Sequence, residues 1–184
     1  MAIIHRATLT PTKMELLATW LATPASGGLE GPGELRQVGS YRFDDPDGEV
    51  GIEALLVTRD GPVRQAVLTY RAAPLEGAGA HLIATTEHSV LGRRWVYDGQ
   101  GDPVAMAAYG RALAGLQHQA PLEVWEGDTF VETREPTVRL TVWDPAASPD
   151  GLSVRLAREP GAVETGSPAL LATWDGGSGV VATA

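Results

Sequence analysis

Apolar positions repeat with two different periods along this chain, and the change from one period to the other marks out its elements. Near the start, Met14, Leu16, Leu17, Trp20 and Leu21 fall at helical spacing, which predicts a short helix with one buried side, ending near Pro24. Two starts are open to it. Thr10 followed by Pro11 loses no needed amide, and Thr12 with Glu15 three residues on has the pattern of a capping box. Residues 2–9 read as an opening strand. Residues 25–34 hold Gly27, Gly28, Gly31, Pro32 and Gly33 and are expected to form a mobile loop, because glycine is costly to order and proline lacks a donor.

Extended segments follow over residues 35–43, 49–59 and 62–70, separated by Asp44-Asp45-Pro46-Asp47-Gly48 and Asp60-Gly61-Pro62, both strong turn formers. In the middle segment Val50, Ile52, Ala54 and Leu56 alternate with Gly51, Glu53, Leu55 and Val57. Both of its sides are apolar for most of its length, which places it inside a sheet. A further extended run over residues 80–98 is expected to bulge or bend near residues 90–92, giving an antiparallel meander four or five strands wide. Asp102 and Pro103 then supply the N-cap and first turn of a second helix reaching His118, rich enough in Ala and Gly to pack closely.

Past Pro121 the pattern becomes one of short strands, at residues 122–125, 129–133, 137–143, 152–157, 169–174 and 180–183. Turns at Glu126-Gly127, Asp144-Pro145, Pro149-Asp150-Gly151 and Asp175-Gly176-Gly177 divide them. The prediction is an α+β fold: an antiparallel sheet with two main helices over residues 1–118, and over 119–184 a β-rich C-terminal lobe, or further strands joining the first sheet, both within one compact domain.

Composition narrows the chemistry. The 184 residues contain no cysteine, which removes disulfides, thiolate nucleophiles and zinc–thiolate or iron–sulfur sites. A net charge of -9 with no basic stripe argues against a nucleic-acid partner. No secretory leader and no run of apolar residues long enough to span a bilayer is visible, so a soluble, cytoplasmic chain with no membrane partner is expected. His5, His81, His88 and His118 show no ligand spacing, so neither a metal nor a cofactor is expected. The glycine clusters lack the strand, lysine and helix of a phosphate loop, and no Gly-x-Ser-x-Gly elbow occurs. Trp125, Trp143 and Trp174 end late strands and suit either sugar stacking or closure of the core, the latter being expected. Trp143 alternates away from Val138, Leu140 and Val142 and is expected to be partly exposed.

Three segments carry a resemblance: residues 40–53, with Tyr41-Arg42-Phe43-Asp44-Asp45-Pro46-Asp47-Gly48; residues 67–71, with Thr69-Tyr70-Arg71; and residues 88–103, with Arg93-Arg94-Trp95-Val96-Tyr97-Asp98-Gly99. Over residues 1–118 the chain resembles the N-terminal cap domain of actinobacterial maltokinases. More closely it is similar to free-standing cap-like proteins, some labelled 1,4-alpha-glucan branching protein. The resemblance implies a cystatin-like first lobe, a curved antiparallel sheet against helix. It also implies association with α-glucan, maltose or trehalose metabolism. It does not imply kinase activity: a kinase-like phosphotransfer site needs an asparagine beside its catalytic aspartate, and this sequence has no asparagine. A branching enzyme needs a barrel of about 250 residues.

The leading expectation is a non-catalytic accessory or regulatory domain that binds a protein partner or a saccharide of that metabolism. The alternative is a small enzyme with its site in the concavity of the curved sheet, where Glu53, Tyr70 and Arg71 would converge. The candidate binding surface is the segment carrying His88, Arg93, Arg94, Asp98 and Asp102. The sequence leaves the oligomeric state open.

Overall fold

The computed structural model describes residues 3–5, 8–29, 31–126, 129–162 and 166–184. The opening segment is two short strands rather than one, β1 (Ile3–His5) and β2 (Leu9–Thr10), which join different sheets. Ala2, Arg6 and Ala7 of the expected single strand lie outside the described residues. Helix α1 (Lys13–Leu21) uses the second of the two starts: the Thr12 hydroxyl accepts from the Glu15 amide while the Glu15 carboxylate accepts from the Thr12 amide at 2.8 Å. The glycine-rich stretch after it is more structured than its composition predicts. Pro24–Ser26 forms a 3-10 turn, Leu29 is buried, and its amide donates to the Leu21 carbonyl at 2.8 Å. Gly31 lies so close to the turn at Arg59-Asp60-Gly61 that an added Cβ would fall 2.2 Å from the Arg59 carbonyl.

Strands β3 (Arg36–Phe43), β4 (Gly51–Thr58) and β5 (Arg64–Arg71) form the expected antiparallel meander. The run over residues 80–98 is not one bent strand. Residues 89–91 reverse the chain into a hairpin of β6 (Leu82–His88) and β7 (Gly92–Asp98), aided by Gly92 at φ 70°. The central sheet is therefore six strands wide, in the order β2-β6-β7-β5-β4-β3, with β7 rather than β6 beside β5. Asp102 caps α2 (Pro103–Leu113), its carboxylate accepting from the Val104 amide. This helix stops short of His118, because Gly115 turns left-handed at φ 72° and its amide closes on the Ala112 carbonyl.

The C-terminal strands are β8 (Leu122–Glu126), β9 (Thr129–Arg134), β10 (Val138–Trp143), β11 (Arg155–Gly161), β12 (Ala169–Trp174) and β13 (Gly177–Thr183). Gly127 of the expected turn before β9 lies outside the described residues. Four of the strands make an antiparallel sheet in the order β10-β12-β13-β11, while β8 pairs with β9 on one side and, in parallel, with β1 on the other. The architecture is thus α+β and rich in strands.

Period-two alternation divides the central sheet into two buried faces. Ile52, Ala54, Leu56 and Val67 pack with Tyr109, Ala112 and Leu113 of α2 and with Val138, Leu156, Leu170 and Val181 of the C-terminal sheet. On the other face Leu55, Val57, Ala66, Leu68 and Val96 meet Leu16, Leu17, Trp20 and Leu21 of α1. Both faces of β4 being covered explains its nearly continuous apolar sequence. A buried polar bridge ties the layers together. Tyr41 donates to Gln65 at 2.5 Å and contacts the Tyr109 hydroxyl at 2.8 Å, and the Gln65 amide donates to the carbonyls of Ala157 and Val181 at 2.9 and 2.8 Å. No described helix is long and apolar enough to cross a membrane.

Candidate functional site

Strand parity decides which of the sequence candidates meet. Glu53 and Leu68 pair across β4 and β5, so Glu53 and Tyr70 share the α1 face while Arg71 points to the α2 face. Under the start of α1, the Glu53 carboxylate accepts from Lys13 at 2.9 Å and from the Tyr70 hydroxyl at 3.2 Å, with Arg42 at 3.9 Å. Burial alone raises the Glu53 carboxyl. The charges of Lys13 and Arg42 and the hydrogen bonds from Lys13 and Tyr70 outweigh it and hold the group below the ordinary value of 4.5. Burial, then the neighbouring Glu53 charge, pushes the Tyr70 phenol well above 10.0.

A pH dependence follows. A folded carboxyl with a depressed pKa contributes stability that is fully present above the unfolded value and is lost as pH falls through the folded one. The stability gap between the parent and Glu53→Gln, read from urea unfolding, is therefore expected to be widest at neutral pH and to narrow below pH 4.5. A gap that stays constant through the acid range would show that the carboxyl is not depressed.

Arg71 is instead joined to Asp102. Its Nε and Nη2 each donate to the carboxylate at 2.7 Å, Thr69 donates to it at 2.7 Å, and Asp102 is fully buried. Burial acts to raise this carboxyl, but the hydrogen bonds from Arg71, Thr69 and the Val104 amide, with the Arg71 charge, leave it below 3.8. The pair anchors the start of α2 to β5.

Asp98 turns to the α1 face and pairs with Arg158 of β11, while its other oxygen accepts from the Gln100 amide. The Arg158 guanidinium lies over the Trp20 ring, 5.0 Å from its centroid. These three residues lie along a cleft of about 760 Å³ between α1, the start of β6 and β11, with Leu16, Ile83, His81 and Gln100 also on its walls. Arg158 is the participant that sequence reasoning missed. The available signal was its place two residues beyond the apolar Leu156, at the parity of a buried strand face.

The remaining candidates stand apart from the cleft. The His88 Nδ1 accepts from the Val90 and Leu91 amides at 3.2 and 3.0 Å and so shapes the β6–β7 turn. Arg93 forms an exposed cross-strand pair with Glu87 at 2.8 Å, and Arg94 is half-buried opposite Thr86. On the C-terminal sheet Trp174 packs against the core, whereas Trp143 is 53% exposed, as its strand parity predicts. The Trp125 side chain lies outside the described residues. Among the described residues no three His, Asp or Glu side chains gather as a metal site.

Residues 20–102 match the family model of the maltokinase N-terminal cap domain. The chain carries a cap-like segment. The match takes in the end of α1 and all of β3 to β7, and it bears out the resemblance read from the three sequence segments. No curated protein and no solved structure matches the chain. Within the cap-like segment lie Glu53, Tyr70, Arg71, Asp98 and Asp102, while Lys13 and Arg158, which hold two of these carboxylates, come from outside it.

Proposed function

We propose that the chain is a non-catalytic accessory or regulatory domain of maltose, α-glucan or trehalose metabolism, acting by binding a saccharide or a protein partner. The observation that carries this reading is the match of residues 20–102 to a domain described as a cap of maltokinase. The chemistry of the paired groups favours binding over catalysis. A general base and acid are most effective when their pKa values lie near the working pH. Glu53 is displaced below the ordinary carboxylate value and Tyr70 above the ordinary phenol value, each away from neutrality. Asp98 and Asp102 are likewise committed to Arg158 and Arg71.

The purified full chain is expected to leave maltose, trehalose and maltodextrin chemically unchanged, with or without magnesium and ATP, when products are followed by chromatography. Turnover that disappears in Glu53→Gln would instead establish the small-enzyme alternative.

A further inference from the structure

We infer that the cleft between α1, β6 and β11 is a binding site for a small, neutral, polyhydroxylated ligand of one or two sugar rings. The inference deepens the reading of the chain as a binding domain and rests on it. The volume of about 760 Å³ lies in the range of small-molecule sites. Its walls are of two kinds. Leu16, Ile83 and Ala84 offer apolar surface suited to the C–H face of a ring, while Asp98, Gln100, Arg158 and His81 supply mixed donors and acceptors.

The polar groups select the ligand class. Arg158 carries the site's strongest donor, but Asp98 already balances its charge, and Glu15 adds a further carboxylate to the wall. A phosphate entering there would meet no uncompensated cation. A purely apolar ligand would strip water from the ion pair without replacing any hydrogen bond. Hydroxyl groups each donate and accept, so they can serve carboxylate, amide and guanidinium together.

Two features leave hydrogen-bonding capacity for such a ligand. The Nη1 of Arg158 is shielded from solvent and has no acceptor among the described residues, so a small rotation of the guanidinium would present an unused donor to a ligand oxygen. The Gln100 carbonyl oxygen accepts from the Leu156 amide at 3.3 Å, which fixes that side chain and leaves its NH2 to donate. The wall is also held in advance. His81 packs on Gly101 so tightly that an added Cβ would lie 2.0 Å from its ring, and ordering groups before binding reduces the entropy lost on capture.

The test is calorimetric titration of the full chain with maltose, trehalose, glucose 6-phosphate and decanoate, repeated with three variants. Thr19→Arg projects a long side chain over the cleft from an exposed helix position whose hydroxyl donates to the Glu15 carbonyl. Arg158→Lys keeps the charge opposite Asp98 but loses the planar fork. Trp143→Ala alters the exposed ring on the far sheet. Saturable binding of a neutral disaccharide is expected, weakened at least about tenfold by Thr19→Arg and by Arg158→Lys and unchanged by Trp143→Ala. The unfolding midpoint of Thr19→Arg should equal that of the parent, which separates blockage from misfolding. Preference for the phosphate or the decanoate, absence of disaccharide binding at millimolar concentration, or loss confined to Trp143→Ala would each overturn the inference. Absent binding together with absent turnover sinks this site and leaves the accessory reading standing. Turnover with intact cleft binding does the reverse.

Discussion

Residues 1–118 expressed alone are expected not to fold cooperatively, although they contain the whole cap-like segment and both helices. The reason is the position of α2. It packs between the central sheet and the C-terminal sheet, and Tyr109, Ala105, Ala108 and Leu113 are all completely buried. Cutting after residue 118 removes Val138, Leu156, Leu170 and Val181 from that core. At about 1.5–3 kcal/mol for each buried side chain, these four contribute roughly 6–12 kcal/mol, as an upper bound. That is comparable with the about 5–15 kcal/mol of net stability that a domain has. Polar losses add to it. The Gln65 amide, 1% exposed, would lose both of its carbonyl acceptors, and Asp98 would lose Arg158. An amide proton spectrum with native dispersion and a single sharp urea transition for residues 1–118 would refute the expectation and make the first lobe an independent unit.

The same interdependence explains what the sequence made legible. Strands β3, β4 and β5 are legible because their pattern is local: period-two alternation, interrupted by Asp-Pro-Asp-Gly and Asp-Gly-Pro turns. The start of α2 is equally local, since Asp102 needs only the amide two residues on to act as its cap. The sheet order is a different matter. A seven-residue strand carries no mark of its neighbour, and placing β7 rather than β6 against β5 depends on how the connection over residues 72–81 crosses the end of the sheet. The parallel pairing of β1 with β8 joins segments about 120 residues apart, so each strand's partner lies far outside any local window of the sequence.

The candidate site divides along the same line. Glu53 and Tyr70 meet because they lie on adjacent meander strands, whereas the alternation of consecutive residues turns Arg71 to the opposite face. Asp98 and Asp102 stood out by their density of charge, but their roles are set by partners that are remote in sequence. Arg158 lies 60 residues from Asp98 and reaches it only because β11 comes to rest beside the first half of β5. The cleft follows from that contact and could not be read before it.

Asp102→Ala is expected to cost about 3–5 kcal/mol, the range for breaking a buried ion pair by removing one partner. The carboxylate is completely buried and serves four donors: the Nε and Nη2 of Arg71, the Thr69 hydroxyl and the Val104 amide. Its loss leaves Arg71, whose side chain is 17% exposed, with a charge facing the interior and removes the cap of α2 as well. Asp102→Asn should cost less, because an amide oxygen still accepts from Val104 while the charge opposite Arg71 disappears. Arg71→Met should be about as harmful as the alanine variant, since it strands the carboxylate instead. The double variant Arg71→Met/Asp102→Asn is expected to recover part of the combined loss, because neither charge is then left unpaired. The dependence on acidity has a definite sign. Asp102 is depressed below 3.8, so the stability it contributes is complete above that value and is lost as pH falls through the lower folded value. Urea midpoints at neutral pH and across the acid range would measure all four chains. If Asp102→Ala cost less than about 1 kcal/mol, the pair would not be holding α2 on the sheet, and the carboxylate would return to the set of groups available to a ligand.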